Sequence, residues 1–176
     1  MIIEVTDKDF GIETKEIEKP RIRYAARGII YNNEDKIALL YKKNKNQYKL
    51  IGGGKENNEK IKETFIREVM EETGYSIDIK ENLGVAVEKK SQDNFIQYST
   101  IFVGKILKKE KSENYTIEEL KDGSSIVWVD IVDAIELIKN SLSSLKYKDI
   151  KSYHDLFILK RDVLILECYA KMHNII

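Results

Sequence analysis

Gly53-Gly-Lys-Glu-Asn-Asn-Glu59, then seven residues, then Arg67-Glu-Val-Met-Glu-Glu-Thr-Gly-Tyr75: this stretch decides how the chain is read. In a helix each residue advances by about 100°, so Glu68, Glu71 and Glu72, spaced i, i+3 and i+4, leave one side within about a turn of each other. Like charges at those spacings cost an isolated helix about a few tenths of a kcal/mol each. A hard divalent cation reverses the sign. Magnesium prefers oxygen ligands and is commonly held by one or two carboxylates, waters and substrate phosphates. Just upstream, Gly52, Gly53 and Gly54 permit positive φ and a close approach of main chain to a ligand, beside a helix N-terminus that favours anions. Taken alone, the three glutamates also read as a solvated acidic face.

Working outward, Arg21 to Tyr31 reads as a long strand. Asn32 to Asp35 is a turn, and Lys36 to Tyr41 a second strand closing a hairpin with the first. A short strand, Tyr48 to Ile51, feeds the glycines. The signature helix is expected from about Glu59 to Thr73, with Ile61, Phe65, Ile66 and Val69 on its buried sector. Gly74 follows its C-cap, with Tyr75 packing back on Met70. Ser76 to Lys80, Leu83 to Lys90 and Phe95 to Leu107 read as three more strands, and Ser125 to Val129 as another. Between them the charged stretch from Lys108 to Gly123 is expected to loop out. Ile131 to Asn140 is an amphipathic helix, and Ile150 to Lys171 a longer one, with Leu156, Leu159, Val163, Leu166 and Ala170 near a 3.6 period.

Thirty basic and thirty acidic side chains cancel, which removes any bulk field for nucleic acid or an anionic membrane. One cysteine, Cys168, excludes an internal disulfide and a cysteine-held zinc. The N-terminal residues lack the pattern of a signal peptide, and no run reaches the length of a membrane helix, so a cytoplasmic protein is expected. The organisation expected is an arm or extra hairpin at 1–20, a domain at 21–145 and a C-terminal helix packed on it at 146–176. A homodimer is left open.

The segment from Gly53 to Tyr75 resembles the signature of the Nudix hydrolases: Gly, five residues, Glu, seven residues, then Arg-Glu-U-x-Glu-Glu-x-Gly-U, where U is bulky and apolar. Every fixed position matches. At roughly 0.1 per position, chance gives on the order of 10⁻⁵ for the whole chain. Tyr75 fills a slot more often aliphatic, and Ile51 occupies a place where many members carry proline. The resemblance implies an α/β fold, the Nudix α/β/α sandwich with a mixed sheet, plus an extra C-terminal helix. It implies Mg2+, with Mn2+ as a substitute, on Glu68, Glu71, Glu72 and the carbonyl of Gly52. Arg67 would orient these carboxylates. Glu59 either reaches the site through water or favours the first helical turn through the dipole.

The implied reaction is hydrolysis of a phosphoanhydride in a small-molecule nucleotide, with no polymeric nucleic acid and no membrane as partner. A nucleoside triphosphate, normal or oxidised, is the lead substrate; ADP-ribose or a nucleotide sugar is the alternative, and a non-catalytic nucleotide sensor the second. Glu118 and Glu119 are candidates for the general base, with Glu88 behind them. Arg21, Arg23 and Arg27 alternate onto one strand face; Arg27 is the chosen substrate contact, with Gly53 and Gly54, against the plain reading of an edge arginine facing solvent. Trp128 is read as core, with base stacking as the minority reading, Cys168 as a buried small side chain, and His154 and His173 as surface residues. The proline and tyrosine that mark substrate subgroups beyond the signature are absent from Lys89 to Asp93, and Pro20 is the only proline.

Overall fold

Ile29 and Ile30 are neighbours in the chain, both fully buried, and they enter different cores. Successive side chains of a strand point to opposite faces, so such a strand must be covered by helices on both sides. Ile37 to Leu40 and the pair Leu50–Ile51 divide in the same way.

In a computed structural model covering the chain, residues 2–176 are described. Met1, the first residue of the expected arm, lies outside them. The strands are β1 (Ile2–Thr6), β2 (Arg21–Tyr31), β3 (Ile37–Lys42), β4 (Gln47–Gly54), β5 (Tyr75–Lys90), β6 (Phe95–Lys109) and β7 (Ser124–Val129). The helices are α1 (Ile61–Thr73), α2 (Ile117–Asp122), α3 (Ile131–Ser144) and α4 (Ile150–Met172). The mixed sheet runs β1-β5-β6-β2-β4-β3-β7, with β1–β5 and β6–β2 parallel. This is the α/β sandwich that was expected.

On one face α1 buries Phe65 and Val69 against Ala26, Ile30, Leu40, Ile51 and Phe102. Gly28 makes this approach close: a Cβ there would lie 2.5 Å from the Phe65 ring. Burying a phenylalanine contributes about 2–3 kcal/mol. The other face is covered by α3 and α4, whose Ile135, Ile138, Phe157, Leu159 and Leu166 join Ile29, Leu39 and Leu50.

Several expected boundaries change. β2 and β3 are not a hairpin: they pair only at Tyr31–Ile37, and β4 inserts between them, antiparallel to both. Strand β4 therefore continues through the glycines instead of stopping at Ile51. The arm is no hairpin either, since β1 adds to β5 in parallel. The two strands expected at 76–90 are one bent strand whose register slips at three points against β6. The charged stretch after β6 does not loop out throughout, because α2 forms within it, capped by Thr116, which accepts from the Glu119 N–H. On α1, Ile66 is 40% exposed and lies outside the buried sector.

Candidate active site

Lys60 is the N-cap of α1, and Gly74, in the left-handed region, ends it with its N–H on the Met70 carbonyl at 3.0 Å. Tyr75 then leaves the helix, and its ring meets Trp128 edge-on, a contact the sequence did not suggest. Between these caps the carboxylates of α1 line the edge that faces the end of β4.

Arg67 pins them. Its Nη1 donates to Glu68 at 2.8 Å and Glu71 at 3.0 Å, its Nη2 to the Gly54 carbonyl at 3.0 Å, and its Nε to Glu59 at 2.8 Å. Glu59 precedes the helix, and it also accepts from the Thr64 hydroxyl and the Glu56 N–H. It is the anchor of Arg67, and that hydrogen bond holds its carboxyl down to about 2.

Glu72 is only 3% exposed. It accepts the Gly52 N–H at 2.9 Å, and Lys49 Nζ lies 3.4 Å away. Burial, with Glu119 and Glu68 nearby, pushes its carboxyl up to about 7. Burial raises Glu68 as well. Lys49 reaches Glu119 too, at 3.8 Å. Glu118 is exposed and pairs with Lys151 at 2.7 Å.

The glycine loop is shaped by close approach. A Cβ on Gly53 would lie 2.3 Å from the Glu68 carboxylate, and one on Gly54 would lie 2.4 Å from the Arg23 guanidinium. Of the three glycines only Gly52 has positive φ, at 133°. Its carbonyl accepts from Arg27 Nη1 at 2.7 Å, so the oxygen expected to bind the metal already carries a guanidinium.

Among the described residues, no three carboxylate, imidazole or thiolate groups converge closely enough to hold a metal as the side chains are arranged. Lys49 and Arg67 stand between the carboxylates. The donor chemistry nonetheless fits a hard cation: acceptor-only oxygens, a cradle at Gly53 that a Cβ would fill, and a buried carboxylate whose charge is unfavourable until a cation joins it.

Arg27 lies on an interior strand, not at the edge. It is 5% exposed, its Nε has no hydrogen-bond partner, and burial and Arg161 lower it to about 10. Behind it lies a charged layer between β5 and α4 that the sequence reading missed. Arg161 Nη1 donates to Glu88 at 2.7 Å and its Nε to Asp162 at 2.9 Å, while Asp162 accepts the Leu50 N–H at 2.9 Å. Glu88 also holds Lys90 and Gln97, at 3.0 and 2.7 Å. Burial would raise Glu88, but Arg161, Lys90 and Arg27 outweigh it and hold it at about 2. Enclosed in this way, Glu88 is not available as a base. Its signal was an Arg-Asp pair inside the apolar run of α4.

A cleft of about 610 Å³ opens between the glycine loop, α2 and the first turns of α4, with Arg23, Arg27, Lys42, Lys49, Glu119 and His154 among its walls. A second, of about 480 Å³, lies over Glu68, Glu71 and Glu72 against Asn114 and Tyr115. The two share Arg23, Gly54, Glu68, Glu72, Thr116 and Glu119, so they meet at the carboxylates. Arg21 stays outside, on Asp93 and over the Phe95 ring. His154 is half-buried instead of lying at the surface, stacked on Phe95 and 2.9 Å from Asp93. Cys168 is partly buried, and His173 is exposed as expected.

A family model described as NUDIX domain matches residues 21–148. The chain belongs to the Nudix family. Its class is that of a hydrolase acting on pyrophosphate bonds. Solved structures with the same fold include a Nudix hydrolase from Nitrosomonas europaea, 18% identical with a TM-score of 0.55, covering 78% of this chain and 92% of that one. An ADP-ribose pyrophosphatase from Streptococcus suis is 17% identical with a TM-score of 0.52, over 84% and 91% of the two chains. A MutT protein from Methanosarcina mazei is 16% identical with a TM-score of 0.50, over 82% and 96%. At these identities the likeness is one of fold. A search of curated proteins finds no match. The Nudix match ends just before α4, so the helix that walls one side of the larger cleft lies outside it.

Proposed function

We propose that this Nudix protein is a magnesium-dependent pyrophosphohydrolase acting on a nucleoside diphosphate linked to another moiety, with a nucleoside triphosphate, normal or oxidised, as lead substrate. The observation that carries the reading is the meeting of two clefts at Glu68, Glu72 and Glu119, with Arg23 and Arg27 beside them. A nucleoside on one side of the acidic centre, and the far phosphates or a second moiety among Arg27, Lys42 and Lys49 on the other, fit that shape.

In this reading Glu68, Glu71 and Glu72 hold Mg2+, or Mn2+ in its place. When bound, the ion neutralises phosphate oxygens and lowers the pKa of a water. Arg67 fixes the rotamers of Glu68 and Glu71. Arg27, with its free Nε, and Arg23, beside Gly54, take the phosphates through planar, charge-assisted hydrogen bonds. Gly53 and Gly54 let the substrate approach the main chain. Glu119 is the better general base: it is beside Glu72 and Lys49, whereas Glu118 is engaged with Lys151.

A solved structure named as an ADP-ribose pyrophosphatase and another named as a UDP-X diphosphatase support linked nucleotides as the alternative substrates, and the intact set Glu68, Glu71 and Glu72 argues against a sensor. The experiment is incubation with Mg2+ and a panel of nucleoside triphosphates, nucleotide sugars and ADP-ribose, following release of monophosphate, pyrophosphate and phosphate. Turnover of one class names the substrate. Tight binding without turnover on the whole panel rejects the enzyme reading in favour of a nucleotide sensor.

A further inference from the structure

The larger cleft has no phenylalanine, tyrosine or tryptophan among its described walls, and its one aromatic ring, His154, is already stacked on Phe95. Rings gather on the other side of the carboxylates. Trp128, the only tryptophan, is half-buried on β7, with the Tyr75 ring edge-on at 6.2 Å. Together with Tyr115 and Ile126 they wall a pocket of about 340 Å³ between the end of α1 and β7. This is the lower end of the volume range of small-molecule sites, and enough for a base and its sugar.

Two observations tie that pocket to a ligand of this chemistry. Ser124 Oγ lines it, is shielded from solvent, and has no hydrogen-bond partner. A buried hydroxyl without a partner costs stability unless a ligand supplies one. Tyr115 belongs both to this pocket and to the cleft over Glu68, Glu71 and Glu72, and the neighbouring Asn114 N–H is fixed on the Glu71 carbonyl at 2.7 Å. The aromatic pocket therefore opens next to the acidic centre, at one end of α1.

We propose that the pocket formed by Trp128, Tyr115 and Ser124 is the subsite for the nucleobase of the substrate, the phosphates lying across Tyr115 at the carboxylates and the second moiety in the cleft beside α4. This rests on the nucleotide reading above and adds the place of the base. The indole and phenol supply stacking faces, which every base can use, and the Ser124 hydroxyl meets a polar base edge.

Trp128 is its own reporter, since no other tryptophan contributes to the emission. The test is a fluorescence titration of the whole chain with AMP, GMP, CMP and UMP in Mg2+, with ribose 5-phosphate and pyrophosphate as controls. A saturable change with at least one nucleotide, and none with either control, is expected. Tyr115→Ala and Ser124→Val keep the indole and are expected to weaken that nucleotide by about tenfold, the size of one lost stack or hydrogen bond. They should raise KM for the hydrolysed substrate and leave kcat within about threefold, as removal of uniform binding does. If nucleotides are hydrolysed while Trp128 emission stays flat and both variants keep the wild-type KM, the subsite is wrong and the hydrolase reading survives. If no nucleotide is bound or hydrolysed, the nucleotide reading fails and the subsite goes with it.

Discussion

The backbone N–H of Gly52 donates to the buried carboxylate of Glu72 at 2.9 Å, which joins the glycine loop to the acidic helix before any ligand arrives. The same residue is held on its other side by Arg27, which donates to the Gly52 carbonyl at 2.7 Å. An anion-seeking arginine and a cation-seeking glutamate thus hold the two peptide planes that flank one glycine, and a shift of either is felt by the other.

Glu72→Gln isolates the charge. The amide oxygen can still accept from Gly52, so the fold keeps its hydrogen bond while the acidic centre loses a ligand. A fall in kcat/KM of at least about a hundredfold, or about 2.7 kcal/mol, is expected, with no loss of melting temperature. Steady-state kinetics on the substrate found in the panel checks it. Activity within tenfold of wild type would remove Glu72 from the metal site.

The titration of Glu72 gives a stability profile. With no cation bound, its folded value of about 7 lies above the ordinary 4.5, so its contribution is fully present below about 4.5 and is lost as pH rises through 7. At about 1.4 kcal/mol for each pH unit between the two values, the upper limit is about 3 kcal/mol. A cation binds the charged form and reverses the loss. Added Mg2+ is therefore expected to raise the melting temperature more at pH 8 than at pH 5.5, relative to EDTA. Glu88 has the opposite sign: held at about 2, it stabilises above 4.5 and loses that contribution as pH falls toward 2. Equal Mg2+ shifts at both pH values would contradict this assignment.

Two glycines separate site from fold. In Gly53→Ala the new methyl meets the flexible end of Glu68 at 2.3 Å, so the carboxylate can turn away at little cost to folding. In Gly28→Ala it meets the Phe102 carbonyl at 2.3 Å and the Phe65 ring, which cannot. Gly53→Ala is expected to lose activity about tenfold or more with a near-native melt. Gly28→Ala should lose about 1–3 kcal/mol by overpacking. Urea melts and activity assays on both variants decide; a reversed pattern would mean that the Gly53 cradle has no part in the site.

How much of this was legible follows from the range of each signal. The spacing of Glu68, Glu71 and Glu72 is local, and so are the Gly74 cap and the glycine loop, so the sequence revealed them. The α/β class followed from strands and helices alternating along the chain. Pairing order is not local: Asn32 to Asp35 looked like a hairpin turn, yet β4 takes the place between β2 and β3, where Gly52 fits closely against Ala26 and Arg27. Glu59 could be read only as a water-mediated site contact or a helix-dipole residue, because its partner, Arg67, sits eight positions away on the next turns. The Arg161–Asp162 pair was passed over because a 3.6 period records only apolar positions, and α4 buries charge among them. Lys49 carried no motif at all; only the fold brings it to Glu72 and Glu119.

Asp162→Ala tests whether the buried charge behind Arg27 holds the site in place. The change leaves Arg161 with Glu88 as its remaining carboxylate and the Leu50 N–H without an acceptor, both far from water. Removing one partner of a buried pair costs about 3–5 kcal/mol because the other charge is left uncompensated. Leu50 is two residues before Gly52, so loosening β4 there moves the glycine that links Arg27 to Glu72. A loss of about 3 kcal/mol in a urea melt is expected, together with a raised KM even at temperatures where the variant stays folded. Asp162→Asn, which keeps an acceptor for Leu50 and drops only the charge, is expected to fall between wild type and alanine in both measurements. If both variants melt within about 1 kcal/mol of wild type, the layer is solvated in solution and Arg27 is held by Gly52 alone.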